Sequence, residues 1–187
     1  MCRETAAARR QAHSSHVPAV MQFKVRPAGN PHHGAVLHPD PRTVDVPPDH
    51  FEVAEDDVLF TATLEATLAV CLYDAVEEHG ALLHLRFIAR GSSQTDVTDR
   101  TLASDLLLLD RCVERFRSAM ERGVDIQGKI AASVEAGEPA RLAADAVLAL
   151  IGEYLKDAGV RLVSREIEYG HRVHLRFRPS MGHLRLE

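Results

Sequence analysis

Residues 61–90 read TATLEATLAVCLYDAVEEHGALLHLRFIAR. Two apolar runs, Leu68 to Tyr73 and Ala81 to Ile88, flank a short polar connection that ends in His79-Gly80. This is the pattern of two adjacent strands joined by a tight turn. His84 falls in the middle of the second run. Upstream, Val58 to Thr63 reads as a further strand, preceded by the turn Pro47-Pro48-Asp49-His50 and by Thr43 to Val46, where the ordered part of the chain is expected to begin. Downstream of the loop Gly91-Ser92-Ser93-Gln94, residues Leu102, Leu106, Leu109, Val113, Phe116 and Met120 recur at steps of three and four. That spacing predicts one continuous helix ending at Gly123.

Val124 to Val134 reads as another strand. Glu138-Pro139 opens a second helix, because proline is tolerated where its missing N–H is not needed, and Gly159 closes it. Val147, Leu150, Ile151, Tyr154 and Leu155 give that helix a predicted buried side. From His171 to Arg178 the chain alternates, with Val173, Leu175 and Phe177 on one face and Arg172, His174, Arg176 and Arg178 on the other. His183 and Arg185 continue the basic character. His171 and His174 are three apart, so on a strand they point to opposite faces and cannot share a metal. Strand and helix signals together predict a mixed α/β (α+β) domain, with β-sheets packed in the middle and two long helices outside.

A chain of 187 residues with 45% hydrophobic content suits one domain plus a tail. Residues 1–42 lack a sustained period and read as an extension, with residues 43–187 as the domain. His13, His16, His32, His33 and His38 in the extension invite a metal reading, but acids and cysteine are scarce around them, and a solvated tail is favoured. The net charge of −5 and a pI of about 6.1 argue against a nucleic-acid partner. No run approaches the ~20 apolar residues needed to span a bilayer, and Met1 to Gln22 lacks the apolar centre of a secretory signal. A cytoplasmic protein without membrane insertion is expected. Cys2, Cys71 and Cys112 are odd in number and scattered, so neither a disulfide framework nor a zinc spacing is present. No cofactor is expected.

The stretch from Thr61 to His84 resembles the CheD family of bacterial chemoreceptor glutamine deamidases. Leu68-Ala69-Val70-Cys71-Leu72-Tyr73-Asp74 matches a family strand, and Thr61 and His84 fall where the family carries a Thr and its catalytic His. A weaker likeness covers the rest of 43–187. It includes the Lys-Asp-x-Gly turn that ends at Gly159, Tyr169 to Arg172, and Pro179 to Gly182. The resemblance implies deamidation of receptor glutamines, with a chemoreceptor or a CheC-like phosphatase as partner. One position departs from it. The family's Gly-Ser-Cys turn corresponds to Glu65-Ala66-Thr67, so Thr67 stands where the nucleophilic Cys would be.

Such chemistry needs an activated nucleophile, a His to carry the proton, a group to orient that His, and donors for the developing oxyanion. By resemblance, His84 is the base and Thr61 its polar partner. An alcohol is far less acidic than a thiol, so Thr67 is expected to slow acylation on the scale of ~10³-fold or more. Cys71 lies on the same strand face as Thr67 but roughly 13 Å away at the usual rise, which makes it a packing residue. Cys112, beside the helical stripe, reads the same way. Three readings follow: a CheD-like binding or regulatory protein that no longer deamidates, an amide hydrolase using Thr67 with His84, or an interaction module using the basic face of Arg172, His174, Arg176, Arg178 and Arg185.

Overall fold

The computed structural model describes residues 40–74, 76, 79–86 and 100–187. Pro39–Glu187 forms one compact unit, whose first strand starts at Arg42. Residues 1–39 of the extension, with its five histidines, lie outside the described residues, as do the far end of the second apolar run and the Gly91–Gln94 loop, whereas Arg42, the last residue assigned to the extension, already belongs to a strand.

Two sheets and three helices make up the described fold. One sheet holds β1 (Arg42–Asp45), β3 (Val58–Leu64), β8 (Val173–Arg178) and β9 (His183–Leu186) in the order β1-β3-β8-β9. The other holds β2 (His50–Ala54), β5 (Gly80–Leu85), β4 (Leu68–Tyr73), β6 (Gln127–Val134) and β7 (Arg161–Tyr169) in the order β2-β5-β4-β6-β7. The pairs β1·β3 and β6·β7 are parallel, and the others are antiparallel. The helices are α1 (Arg100–Glu114), α2 (Arg117–Glu121) and α3 (Glu138–Asp157). None is long and apolar enough to cross a membrane.

β4 and β5 are buried at every position, which explains why both read as unbroken apolar runs: each is covered on both faces. Leu68, Val70, Leu72, Ala81, Leu83 and Leu85 pack with the helices. Ala69, Cys71, Tyr73 and Leu82 face the four-stranded sheet, where they meet Phe60, Leu175 and Phe177. The register Ala69↔His84 puts His84 in this layer between the sheets.

The predicted continuous helix is broken. α1 ends at Glu114, where Arg115 N–H bonds the Cys112 carbonyl at 3.2 Å and Phe116 N–H the Val113 carbonyl at 2.9 Å. These three-residue bonds tighten the last turn, and α2 starts afresh at Arg117. The stripe survives the break because Phe116 itself is fully buried, stacked on His79 with ring centroids 4.4 Å apart. The second helix matches its predicted limits. At its end Gly159 adopts φ 83° and Val160 N–H reaches back to the Leu155 carbonyl at 2.8 Å, the left-handed termination that glycine permits. Leu150, predicted buried, is instead exposed.

Candidate functional site

Thr67 ends the Glu65-Ala66-Thr67 turn, immediately before β4. Ala66 takes φ 50°, an uncommon conformation for a residue with a Cβ, and it brings the Thr67 side chain back under the turn. There Thr67 Oγ1 accepts the Glu65 N–H at 3.2 Å and lies 2.9 Å from His84 Nε2. Both side chains are buried, with Thr67 5% and His84 1% exposed. The nucleophile position and the histidine singled out in the sequence are therefore brought together.

The other ring nitrogen fixes the tautomer. His84 Nδ1 lies 3.0 Å from the Val46 carbonyl, and a carbonyl can only accept, so Nδ1 carries the hydrogen and Nε2 presents its lone pair to the Thr67 hydroxyl. Burial holds the imidazole below its ordinary pKa, and the Arg86 guanidinium adds to that, while the Val46 carbonyl and the Asp49 and Asp45 carboxylates partly oppose it. A neutral His84 accepting from an alcohol is the arrangement of a general base and its nucleophile.

Thr61 does not orient His84. Val58, Phe60, Ala62 and Leu64 of β3 face the core, so alternation turns Thr61 to the outer side of the four-stranded sheet. There its hydroxyl donates to Asp45 Oδ1 at 3.1 Å. Its contribution to the centre is through the main chain: the Thr61 carbonyl accepts the Val46 N–H at 2.8 Å, and Val46 in turn holds the imidazole. The group that orients His84 is thus a backbone carbonyl, which no residue-type motif encodes.

Val46 opens a five-residue corner, Val46 to His50, that crosses from β1 in one sheet to β2 in the other. Asp49, at φ 64°, donates its N–H to the His84 carbonyl at 2.8 Å, and its carboxylate pairs with Arg86 at 3.0 Å. His50 is the cross-strand partner of His84, and its Nδ1 lies 2.9 Å from the Pro48 carbonyl. The only hint of this corner in the sequence is the Pro47-Pro48 pair between two short strands.

Among the described residues both thiols, Cys71 and Cys112, are buried. Burial pushes Cys71 well above the ordinary thiol range, with Lys129 opposing, and pushes Cys112 up to about 12. Neither supplies a thiolate at neutral pH.

The basic face is smaller than its sequence suggests. His174 and Arg176 do project from the outer face of β8, but Arg172 precedes the strand. Arg178 is clamped by Asp57, which also accepts from Ser180 Oγ at 2.7 Å. Arg176 lies 3.7 Å from Glu187, and Arg185 sits opposite Arg176 on β9. Among the described residues, no group of three or more His, Cys, Asp or Glu is placed to hold a metal.

No protein-family model matches the chain, and a search of curated proteins finds no match to it.

Proposed function

We propose that this chain is a CheD-like chemotaxis protein whose amide-hydrolysing centre is disabled, and that it acts by binding a chemoreceptor or a CheC-like phosphatase. The observation that carries this reading is the 2.9 Å contact of Thr67 Oγ1 with His84 Nε2. It sets an alcohol against the imidazole at the position where the family resemblance calls for a thiol. Two features favour binding over turnover. The oxygen that would attack already accepts the Glu65 N–H, which draws electron density from it. It is also nearly closed off from solvent, so a substrate amide would have to displace part of the turn to reach it.

The same contact supports a second reading, a working hydrolase. Thr67 Oγ1 would attack the amide carbon while its proton passes to His84 Nε2. That proton would then leave with ammonia, and water would cleave the acyl ester. The fixed Nδ1–H tautomer favours this route, and the weak acidity of the alcohol opposes it.

Ammonia release from glutamine-bearing receptor fragments separates the two. The natural protein is expected to release none, whereas Thr67→Cys, or the triple change Glu65→Gly, Ala66→Ser, Thr67→Cys, is expected to gain activity. Release by the natural protein that disappears in His84→Ala would establish the hydrolase instead. Silence from every variant would remove the CheD-like centre altogether.

A further inference from the structure

The helical layer carries a cleft that the Thr67 and His84 pair does not use. It lies where α2 meets the end of α3, beside the break between α1 and α2, and has a volume of about 530 Å³. That falls within the range of small-molecule sites. Val113, Met120, Ala158 and the ring of Tyr154 give it apolar walls.

Its polar groups divide into two kinds. The Tyr154 hydroxyl is committed to Asp110 Oδ1 at 2.7 Å, and Arg117 is committed to Glu114. Glu121 and Asp157 also line the cleft, one on each helix. Among the described residues neither of these two carboxylates accepts a hydrogen bond or forms an ion pair. An anion would meet two carboxylates, Glu121 and Asp157, against a single guanidinium, Arg117, that Glu114 already pairs and Glu121 also attracts. A neutral apolar molecule would fill the volume but gain nothing from the two carboxylates, which are exposed to solvent. A cation with an apolar body matches walls and charges together.

We propose that this cleft binds a small organic ammonium compound, with its apolar body against Val113, Met120 and Ala158 and its charged end between Glu121 and Asp157. The inference is independent of the reading of the Thr67 centre. Each exposed charge contact contributes little alone, so the signature is a preference between matched ligands and not tight binding.

The test is a titration of the full chain, methyl-labelled for NMR, with 2-phenylethylamine and with 2-phenylethanol, which keeps the ring and chain but lacks the charge. The amine is expected to shift the Met120 and Ala158 methyl signals and to bind about tenfold tighter than the alcohol. In the double variant Glu121→Gln, Asp157→Asn the two ligands should bind within about twofold of each other. Equal affinities in the natural protein would overturn the proposal, as would a preference that survives the double substitution. So would unmoved Met120 and Ala158 signals with the amine at roughly 10 mM.

Discussion

The hairpin of β4 and β5 is held differently at its two ends. At the turn end, contact is by shape: Gly80 packs so closely under the 3₁₀ turn Pro179–Met181 that a Cβ there would lie 2.2 Å from Pro179 Cβ. The Tyr73 ring meets Phe177 edge-on at 5.8 Å nearby. At the other end, contact is by hydrogen bonds, through Thr67, His84 and the Val46 carbonyl. The two non-glycine residues with positive φ among the described residues, Asp49 and Ala66, both border that polar pair. Backbone strain is retained where surrounding structure over-determines it, and it gathers at functional centres more often than elsewhere. One end of the hairpin is thus held by close packing, and the other by a hydrogen-bonded side-chain pair bordered by backbone conformations that cost stability.

The sharpest way to break the comparison is Gly80→Ala. Overpacking against a rigid proline is expected to cost about 2–3 kcal/mol, read as a lower urea midpoint. An unchanged midpoint would show that the turn end gives way freely. Next is Thr67→Val, which keeps the shape but leaves His84 Nε2 and the Glu65 N–H without their partner, at about 1–2 kcal/mol. A loss as large as that of Gly80→Ala would erase the distinction between the ends. Ala66→Gly should act in the opposite direction and raise stability by about 0.5–1 kcal/mol, since glycine carries no steric penalty at φ 50°. A loss of stability there would mean that Ala66 is not strained.

The smallest effect is on pH dependence. The folded-state pKa of His84 lies below the unfolded value of about 6.5. The unfolded chain therefore takes up a proton at a pH where the folded one does not. The stabilising contribution is complete above the unfolded pKa and is lost as pH falls from there through the folded value. Because other histidines titrate too, the measurement is the difference between the natural protein and His84→Gln, whose stability should fall less steeply below neutrality. Parallel curves would remove His84 as a buried neutral base.

Much of this fold was legible in the sequence because burial and period coincide. β4 and β5 are apolar throughout since both faces are covered, β8 alternates because one face is open, and α3 is bounded by Pro139 and Gly159. The site was legible in part. Thr67 and His84 were identified from a resemblance and lie in contact, but their neighbours were not foreseen. Thr61 could have been placed correctly from the alternation of Val58, Phe60, Ala62 and Leu64, which already assigns it to the outer face. The Val46 carbonyl could not have been, because a main-chain acceptor leaves no mark on residue identity. The break after Glu114 was hidden for a different reason: Phe116 continues the apolar period across it, so spacing alone cannot distinguish one helix from two.

The corner from Val46 to His50 has a consequence for how opening of the sandwich can be observed. Pro47 and Pro48 carry no amide hydrogen, which leaves Val46 and Asp49 as the flanking reporters, one bonded to the Thr61 carbonyl of the first sheet and the other to the His84 carbonyl of the second. Deuterium uptake at those two amides reads the separation of the layers from both sides. If the corner lifts as a unit, the two must report the same opening free energy once each rate is divided by its intrinsic one, and the imidazole loses its anchor in that same event.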